Sequence, residues 1–440
     1  MIQLTPHLRQ KIIEINFIYL RKYFGFILYF FSILLFLVNK EAAGTKALLT
    51  SIRYSYYGRS TKKLKSLLEK DSHILNELLC KDVSEGEALV RSIVLSFPSF
   101  DDGKIVKGVM VITFTRTSTY FLNQDWFARL DQLFVFVLEP SWAGYADPEI
   151  LAFLSRSSQC LVEATEIKDR VFLNTLYPNN IALSFGASNW IDPNKFKPTD
   201  ATKIYDSIYV ANLNPVKRIY RYVDAVKNIV MNYDKSFKAC LVCVSWGGQK
   251  GFIEKYIDQT GMSNNIVLFG GLEQRVLIEK LNESKVNILL TYKEGSNRAL
   301  FESLFVNIPV ICLSENIGVN KSYINEFTGL LIPDSYLEEA LVEMKSNWNK
   351  YSPRNWAIQN ITPLTTTAML SQVLQSKYQS DCNYKLYVKA NSPEVVYTEH
   401  AVAPREINKS IFDCIAKSDS IKDIVQELNH IETLNFSPKQ

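Results

Sequence analysis

The sequence predicts an α/β protein built from two doubly wound domains, with an extra helical segment at its N-terminus. Three observations lead there. From about Glu87 onward, short apolar runs alternate with amphipathic stretches of ten to fifteen residues, the pattern of parallel sheets flanked by helices. The alternation is interrupted at 189–200, where two prolines and several turn formers mark a boundary. Finally, 440 residues that are 47% hydrophobic suffice for two cores. The expected divisions are a helical segment over 1–85, domains over 86–200 and 201–365, and a tail over 366–440. The tail ends in a helix around 407–431 that is free to pack back on the first domain.

The composition excludes a mostly disordered chain, a collagen-like repeat, a small disulfide scaffold and a polytopic membrane protein. The net charge of +4 conceals a split. Residues 1–70 carry twelve Lys and Arg against Glu14, Glu41 and Glu69, a balance of +9, which leaves −5 for the remainder. Basic charge confined to one end does not suit a nucleic-acid-binding body, so no nucleic-acid partner is expected.

Within that basic end, 23–39 is an uncharged run of seventeen residues, YFGFILYFFSILLFLVN. As a helix it is about 25 Å long, slightly short of a bilayer's hydrocarbon core, and apolar all round. It reads either as a membrane-inserted or membrane-dipping helix or as a helix buried under the rest of the protein. A cleaved signal peptide is the weakest reading, because Lys40-Glu41 follows where small residues should stand. The basic, Tyr-rich stretch 51–70 suits an anionic lipid surface or a plain solvated helix. More basic residues follow the run than precede it, so the body is expected on the cytoplasmic side, attached to the inner membrane face if the run inserts.

Strands are expected at 92–95, 108–113, 133–138, 159–162 and 180–183 in the first domain. The second domain has them at 207–210, 239–244, 265–268, 285–291 and 309–313. Helices are expected over 216–232, 251–260 and 274–282. Seven cysteines in a chain this long form no disulfide framework. Cys240 and Cys243 are spaced as CxxC, but three apart on a strand they face opposite sides, poor geometry for a metal.

The most informative stretch is 285–334. An apolar strand runs into Lys293-Glu294-Gly295-Ser296-Asn297, a helix through Glu302 follows, and a second strand begins at Pro309. Gly295 permits a sharp turn, Ser296 or Asn297 can cap the helix, and the free N–H groups at its start favour an anion such as a diphosphate. Glu294 in the loop and Glu302 two turns into the helix would reach different parts of an elongated ligand, and carboxylates accept hydrogen bonds from sugar hydroxyls.

Strand, Glu-Gly, seven-residue interval, Glu and Pro-Val resembles the donor-binding half of retaining nucleotide-sugar glycosyltransferases of family 4, which have the two-domain GT-B fold. The resemblance extends through Gly318 and through Glu326-Phe-Thr-Gly329-Leu-Leu-Ile332, and begins upstream at Ile208-Tyr-Val-Ala-Asn212-Leu-Asn-Pro-Val-Lys217-Arg218. It covers roughly 204–345. It implies two Rossmann-like domains facing across a cleft and transfer of a sugar, with retention, from a nucleotide-diphosphate donor to a glycan or lipid-linked acceptor. It implies that Lys217 binds donor phosphates, that Glu302 holds the ribose hydroxyls, and that Glu294 lies near the transferred sugar. A non-catalytic nucleotide-sugar-binding or scaffold protein of the same fold is the alternative.

Two positions depart from the family pattern. Asn212 stands where the first phosphate-binding Arg is usual, with Arg218, Lys293 or Arg298 available as replacements. No His lies on a strand-end loop of the first domain, since only His7, His73, His400 and His430 exist. In that domain two loops follow apolar strands, Glu139-Pro-Ser-Trp142-Ala-Gly144-Tyr145 and Ser184-Phe-Gly186-Ala-Ser-Asn-Trp190. Gly144 and Gly186 permit close backbone approach, and Trp142, Tyr145 and Trp190 either stack on an acceptor or pack internally. Glu139, Glu163 and Glu166 are carboxylates at strand ends. No Asp-x-Asp pair occurs, so neither a metal nor another cofactor is expected, and Lys217 with a helix terminus would supply the counter-charge.

Overall fold

The computed structural model describes residues 5–55, 60–80, 83–244, 248–378, 386–390, 396–397 and 404–436. The chain forms two compact units, one of Met1–Leu20 with Ile191–Thr362 and one of Arg21–Trp190 with Pro363–Gln440.

The N-terminus is helical. Helix α1 (Pro6–Ile15) starts on Thr5, whose Oγ1 accepts the Leu8 N–H at 3.3 Å, with Pro6 in the first turn where no N–H is needed. It continues through a wider turn at Asn16–Leu20 into α2 (Arg21–Leu37). Asn39, at φ 55°, reverses the chain into α3 (Glu41–Ser55). Helix α3 places Leu48, Leu49 and Ile52 in the core of the second unit. Helices α2 and α3 approach closely at Gly25, where a Cβ would lie 2.9 Å from the Ser55 nitrogen, and Ser51 Oγ donates to the Gly25 carbonyl at 2.6 Å. Only Gly25 and Ser32 of α2 are buried, so the apolar run is a surface helix rather than a core helix.

The unit of 21–190 and 363–440 holds a five-stranded sheet of β1 (Ser92–Ser96), β2 (Gly108–Thr113), β3 (Phe134–Glu139), β4 (Cys160–Glu163) and β5 (Ile181–Leu183), paired in that order. Strands β2 to β5 are parallel, as the alternation predicts, but β1 is antiparallel to β2. A short hairpin, Ser99–Asp101 with Lys104–Val106, makes that reversal and was not anticipated. The tail helix is two helices, Pro404–Lys417 and Ile421–Phe436, and Ile411, Phe412 and Leu428 belong to this unit's core.

The other unit carries β6 (Ser207–Asn212), β7 (Ala239–Val244), β8 (Ile266–Phe269), β9 (Asn287–Leu289), β10 (Val310–Leu313) and β11 (Gly329–Ile332), ordered β8-β7-β6-β9-β10-β11 and parallel throughout. From β6 the sheet grows one way through β7, and from β9 the other way through β10. The carboxyl ends of β6 and β9 therefore flank the topological switch point, where such sheets bind ligands. Helices α4 (Ile219–Asn232) and α5 (Arg298–Phe305) follow β6 and β9. Cys240 and Cys243 lie buried within β7, and burial pushes both thiols up to about 12, as inert core groups.

Gly329 opens β11 at φ +154°, and a Cβ there would lie 2.0 Å from the Val310 carbonyl oxygen of β10. Gly329→Ala is therefore expected to destabilise the chain by about 1–3 kcal/mol, as overpacking does. Gly271→Ala, where nothing lies within 4 Å, should stay within about 0.5 kcal/mol of wild type. Urea denaturation of the two variants checks the contrast.

Candidate functional site

The loop after β6 is shaped by asparagines. Asn212 Oδ1 accepts the Asn214 N–H at 3.1 Å, and Asn214 Oδ1 accepts the Val216 N–H at 3.1 Å. These turns lead into a single helical turn, Pro215–Lys217, closed by Arg218 in the left-handed conformation at φ 55°. The Tyr209 hydroxyl donates to the Lys217 carbonyl from inside the sheet. Asn212 thus shapes the loop, and Lys217 is the cation that the loop presents.

The second loop follows β9. Its backbone is pinned by Glu294 N–H to the Ile317 carbonyl at 2.8 Å and by Ile317 N–H to the Tyr292 carbonyl at 2.9 Å. Asn316 Nδ2 donates to the Thr291 carbonyl at 2.7 Å, and Gly318 turns at φ 114°. Asn297 Oδ1 accepts the Leu300 N–H at 2.8 Å and caps α5, so the cap falls on the second of the two expected residues. Gly295, Ser296, Asn297 and Arg298 are all partly exposed around this helix start.

The two loops meet. Lys217 Nζ and a Glu294 carboxylate oxygen form an ion pair across 77 residues of sequence, with both side chains about nine-tenths buried. Arg298, the first residue of α5, pairs with Glu302 one turn further on at 3.1 Å. Burial raises the Glu302 carboxyl above its ordinary range, and the Arg298 guanidinium opposes that shift. Lys217, Glu294, Arg298 and Glu302 therefore stand at the carboxyl edge of β6 and β9, beside the N-terminus of α5.

Arg218 is placed differently from its expected donor-binding role. Its side chain is 2% exposed and is held by Glu14 at 2.7 Å, by the Leu290 carbonyl at 3.0 Å and by Asp334 at 2.5 Å, over the Tyr292 ring at 4.0 Å. Arg221 extends the cluster to Asp334 and to Glu338 at 2.6 Å. The α1 helix contributes more than Glu14. Gln10 Oε1 accepts the Tyr220 N–H at 3.0 Å, His7 stacks on Tyr220 and Phe17 stacks on Tyr292. Sequence reasoning missed Glu14 and Asp334 as partners of this loop. The available signal was a lone acid in a basic segment and an acid directly after the closing strand.

In the other unit, the loop residues divide. Tyr145 is buried and its hydroxyl donates to the Glu163 carbonyl at 2.7 Å. Trp190 is fully buried, its Nε1 donates to Glu163 Oε1 at 3.1 Å, and Phe185 meets it edge-on. These rings pack the core and have no face left for a ligand, so of the two expectations for them internal packing holds and their place among the acceptor-side candidates is corrected. Gly144 sits at φ 90°, its N–H bonded to Asp169 at 3.2 Å, while the Gly186 N–H goes to Asn189 Oδ1 at 3.3 Å. Trp142 is the exposed aromatic of the three, at 41%. Glu139 pairs with buried Lys389 at 2.6 Å. Burial, with the Glu139 carboxylate nearby, pushes Glu163 well above the usual carboxylate range, and Lys389 opposes this.

The model of the family described as "Glycosyl transferases group 1" matches residues 191–353. No curated protein matches the sequence. Among solved structures, the chain is similar to TarM of S. aureus at 15% identity and a TM-score of 0.50, covering 61% of this chain. The match spans about half of TarM's own length, 54%. A sucrose-phosphate synthase from Thermosynechococcus elongatus matches at 14% identity over 62% of this chain and 74% of its own, TM-score 0.48. Anabaena HepE in complex with UDP matches at 14% over 60% and 78%, TM-score 0.48. At these identities the likeness concerns the fold, which is the two-Rossmann-domain GT-B type.

The Arg218 cluster has a pH signature. Burial alone would raise Asp334 and Glu338, but Arg218 and Arg221 respectively hold them below the ordinary carboxylate range. Groups lowered on folding add stability above their unfolded values, and that stability is lost as pH falls through the folded ones. Unfolding free energy should therefore drop progressively below about pH 4, and Asp334→Asn should flatten that acid limb while costing about 3–5 kcal/mol at pH 7 by leaving Arg218 short of a partner. Urea titrations from pH 3 to pH 7 would check both parts.

Proposed function

We propose that the chain is a glycosyltransferase, moving a hexosyl group from a nucleotide-diphosphate sugar to a glycan or lipid-linked acceptor with retention of anomeric configuration and without a metal. The observation that carries this reading is the Lys217–Glu294 pair, which joins the loops on either side of the switch point. The family match over 191–353 covers both loops.

In this reading a diphosphate competes with Glu294 for the Lys217 ammonium. The ammonium, Arg298 and the N–H groups at the start of α5 then neutralise the phosphates. Glu294, released from Lys217, accepts hydrogen bonds from the sugar, and Glu302 accepts them from the ribose. The bond between the anomeric carbon and the diphosphate oxygen breaks, and the electron pair leaves with the diphosphate. The acceptor hydroxyl oxygen bonds to the anomeric carbon on the same face and passes its proton to the departing diphosphate oxygen. Charge grows on the leaving group as this happens, so Lys217 and Arg298 contribute more in the transition state than before it. The body works on the cytoplasmic side, held at the membrane face by its basic, apolar N-terminus.

A second reading, a nucleotide-sugar-binding protein without transfer, is favoured by Asn212 and by Arg218, whose charge is spent on Glu14 and Asp334. The two readings separate on variants. Lys217→Ala and Glu302→Ala are each expected to lower donor-dependent transfer at least a hundredfold, an effect within the range for removing one charge-stabilising group. Mass spectrometry of products over a donor and acceptor panel is the measurement. A nucleoside diphosphate that raises the melting temperature while no donor yields hydrolysis or transfer would establish the second reading instead.

A further inference from the structure

Helix Pro6–Leu37 runs for 32 residues, and only 11% of its most apolar window is buried. Along α2 the exposed positions Tyr23, Phe26, Phe30, Leu34 and Leu37 recur at three- and four-residue spacing, at 49–74% exposure. That spacing puts them on one face of the helix. With Phe24, Ile27 and Phe31 beside them, the exposed apolar area is on the order of 1,000 Å², beyond the few hundred that a soluble surface tolerates without a partner.

The charge around this face points to what covers it. Lys22 and Lys40 stand exposed just inside and just past the ends of α2, and Lys63 Nζ lies 5.7 Å from the Phe36 ring, with Lys62 exposed next to it. Aromatic and aliphatic side chains bordered by lysines match the acyl chains and anionic headgroups of a phospholipid bilayer.

How the helix meets that bilayer follows from the order of the chain. Residues before it, Met1–Leu20, fold with Ile191–Thr362, and residues after it, Arg21–Trp190, form the other unit. Were α2 to cross the membrane, α1 would lie on one side and the second unit on the other. The chain would then have to cross back before Ile191 to complete the first unit. Helix Pro6–Leu37 is the one candidate span among the described residues, so none of the described helices between Leu37 and Ile191 supplies a return crossing. Glu14 paired with Arg218 and Gln10 bonded to Tyr220 tie the near end to its unit, and α3 buried in the second core ties the far end.

We propose that α2 is an in-plane, monotopic anchor that sinks its exposed face into one leaflet of an anionic phospholipid membrane and does not cross it. The anchor deepens the membrane placement above and is independent of the transfer chemistry. Both helix ends stay on the side from which the protein arrives.

The full-length chain is tested by flotation with sealed vesicles of phosphatidylcholine with and without phosphatidylglycerol. It should float with the anionic vesicles, and Phe26→Glu with Phe30→Glu should lower the floated fraction at least tenfold while circular dichroism and melting temperature stay unchanged. Topology is read from Lys40→Cys in a background with Cys80, Cys382 and Cys414 changed to serine. A membrane-impermeant maleimide added outside the vesicles should label it fully. Labelling only after detergent would mean that the helix crosses and would overturn the proposal. So would flotation that is indifferent to the two glutamates, or a soluble wild-type dimer that they split into monomers. Donor-dependent transfer, measured separately, decides the enzyme reading whatever the vesicles show.

Discussion

One buried guanidinium organises the unit that carries β6 to β11. Arg218 is almost wholly removed from water, and a charge so placed is tolerated only with partners of good geometry. Those partners come from three distant points of the sequence, Glu14, Leu290 and Asp334, so the contact closes the fold over the loop after β6. Arg218 also accepts a left-handed backbone, which costs a non-glycine residue about 1 kcal/mol and persists where the surroundings over-determine it. The residue before it is Lys217. Fixing Arg218 fixes where the Lys217 backbone leaves the loop, and the Tyr209 hydroxyl on the Lys217 carbonyl completes the hold.

The sheet supplies the other half of the geometry. Because β6 and β9 are neighbours although β7 and β8 intervene in sequence, their following loops arrive at one edge and diverge only in the helices behind them. Lys217 and Glu294 meet as a consequence of strand order, not of sequence proximity. The Asn297 cap and the Ile317 backbone contacts then set the start of α5 beside that pair.

Much of this was legible in the sequence, for physical reasons that can be named. The strands 108–113 and 239–244 match their observed bounds because continuous runs of buried residues admit few registers, and 274–282 is a helix with the expected ends. Lys217, Glu294 and Glu302 stood out because residues at strand ends and helix starts keep their chemistry in local patterns, and the strand order brings the first two together. The buried pairing of Arg218 was not legible because its neighbours in space lie 204 and 116 residues away, which no local pattern encodes. Tyr145 and Trp190 were left between stacking and packing for a related reason. A loop aromatic looks available until its polar handle finds a buried acceptor, here both on Glu163. The run 23–39 gave its length and apolarity but not its exposure, because an apolar helix looks the same in sequence whether protein or lipid covers it.

The charge balance of the site argues against a simple anion as its ligand. Lys217 is neutralised by Glu294 and Arg298 by Glu302, and both carboxylates are largely buried. A bare phosphate that takes either cation leaves a buried carboxylate without its partner, at a cost comparable to the contact it gains. A ligand with hydroxyls on both sides of a diphosphate does better. Its phosphates take the cations while its hydroxyls donate to the released carboxylates, so no buried charge is stranded. For the proposed transfer, two acids eight residues apart, each beside its own cation, suit a sugar–diphosphate–ribose arrangement better than its fragments. Recognition of this kind depends on the carboxylates being occupied before the ligand arrives, which is what the two ion pairs provide.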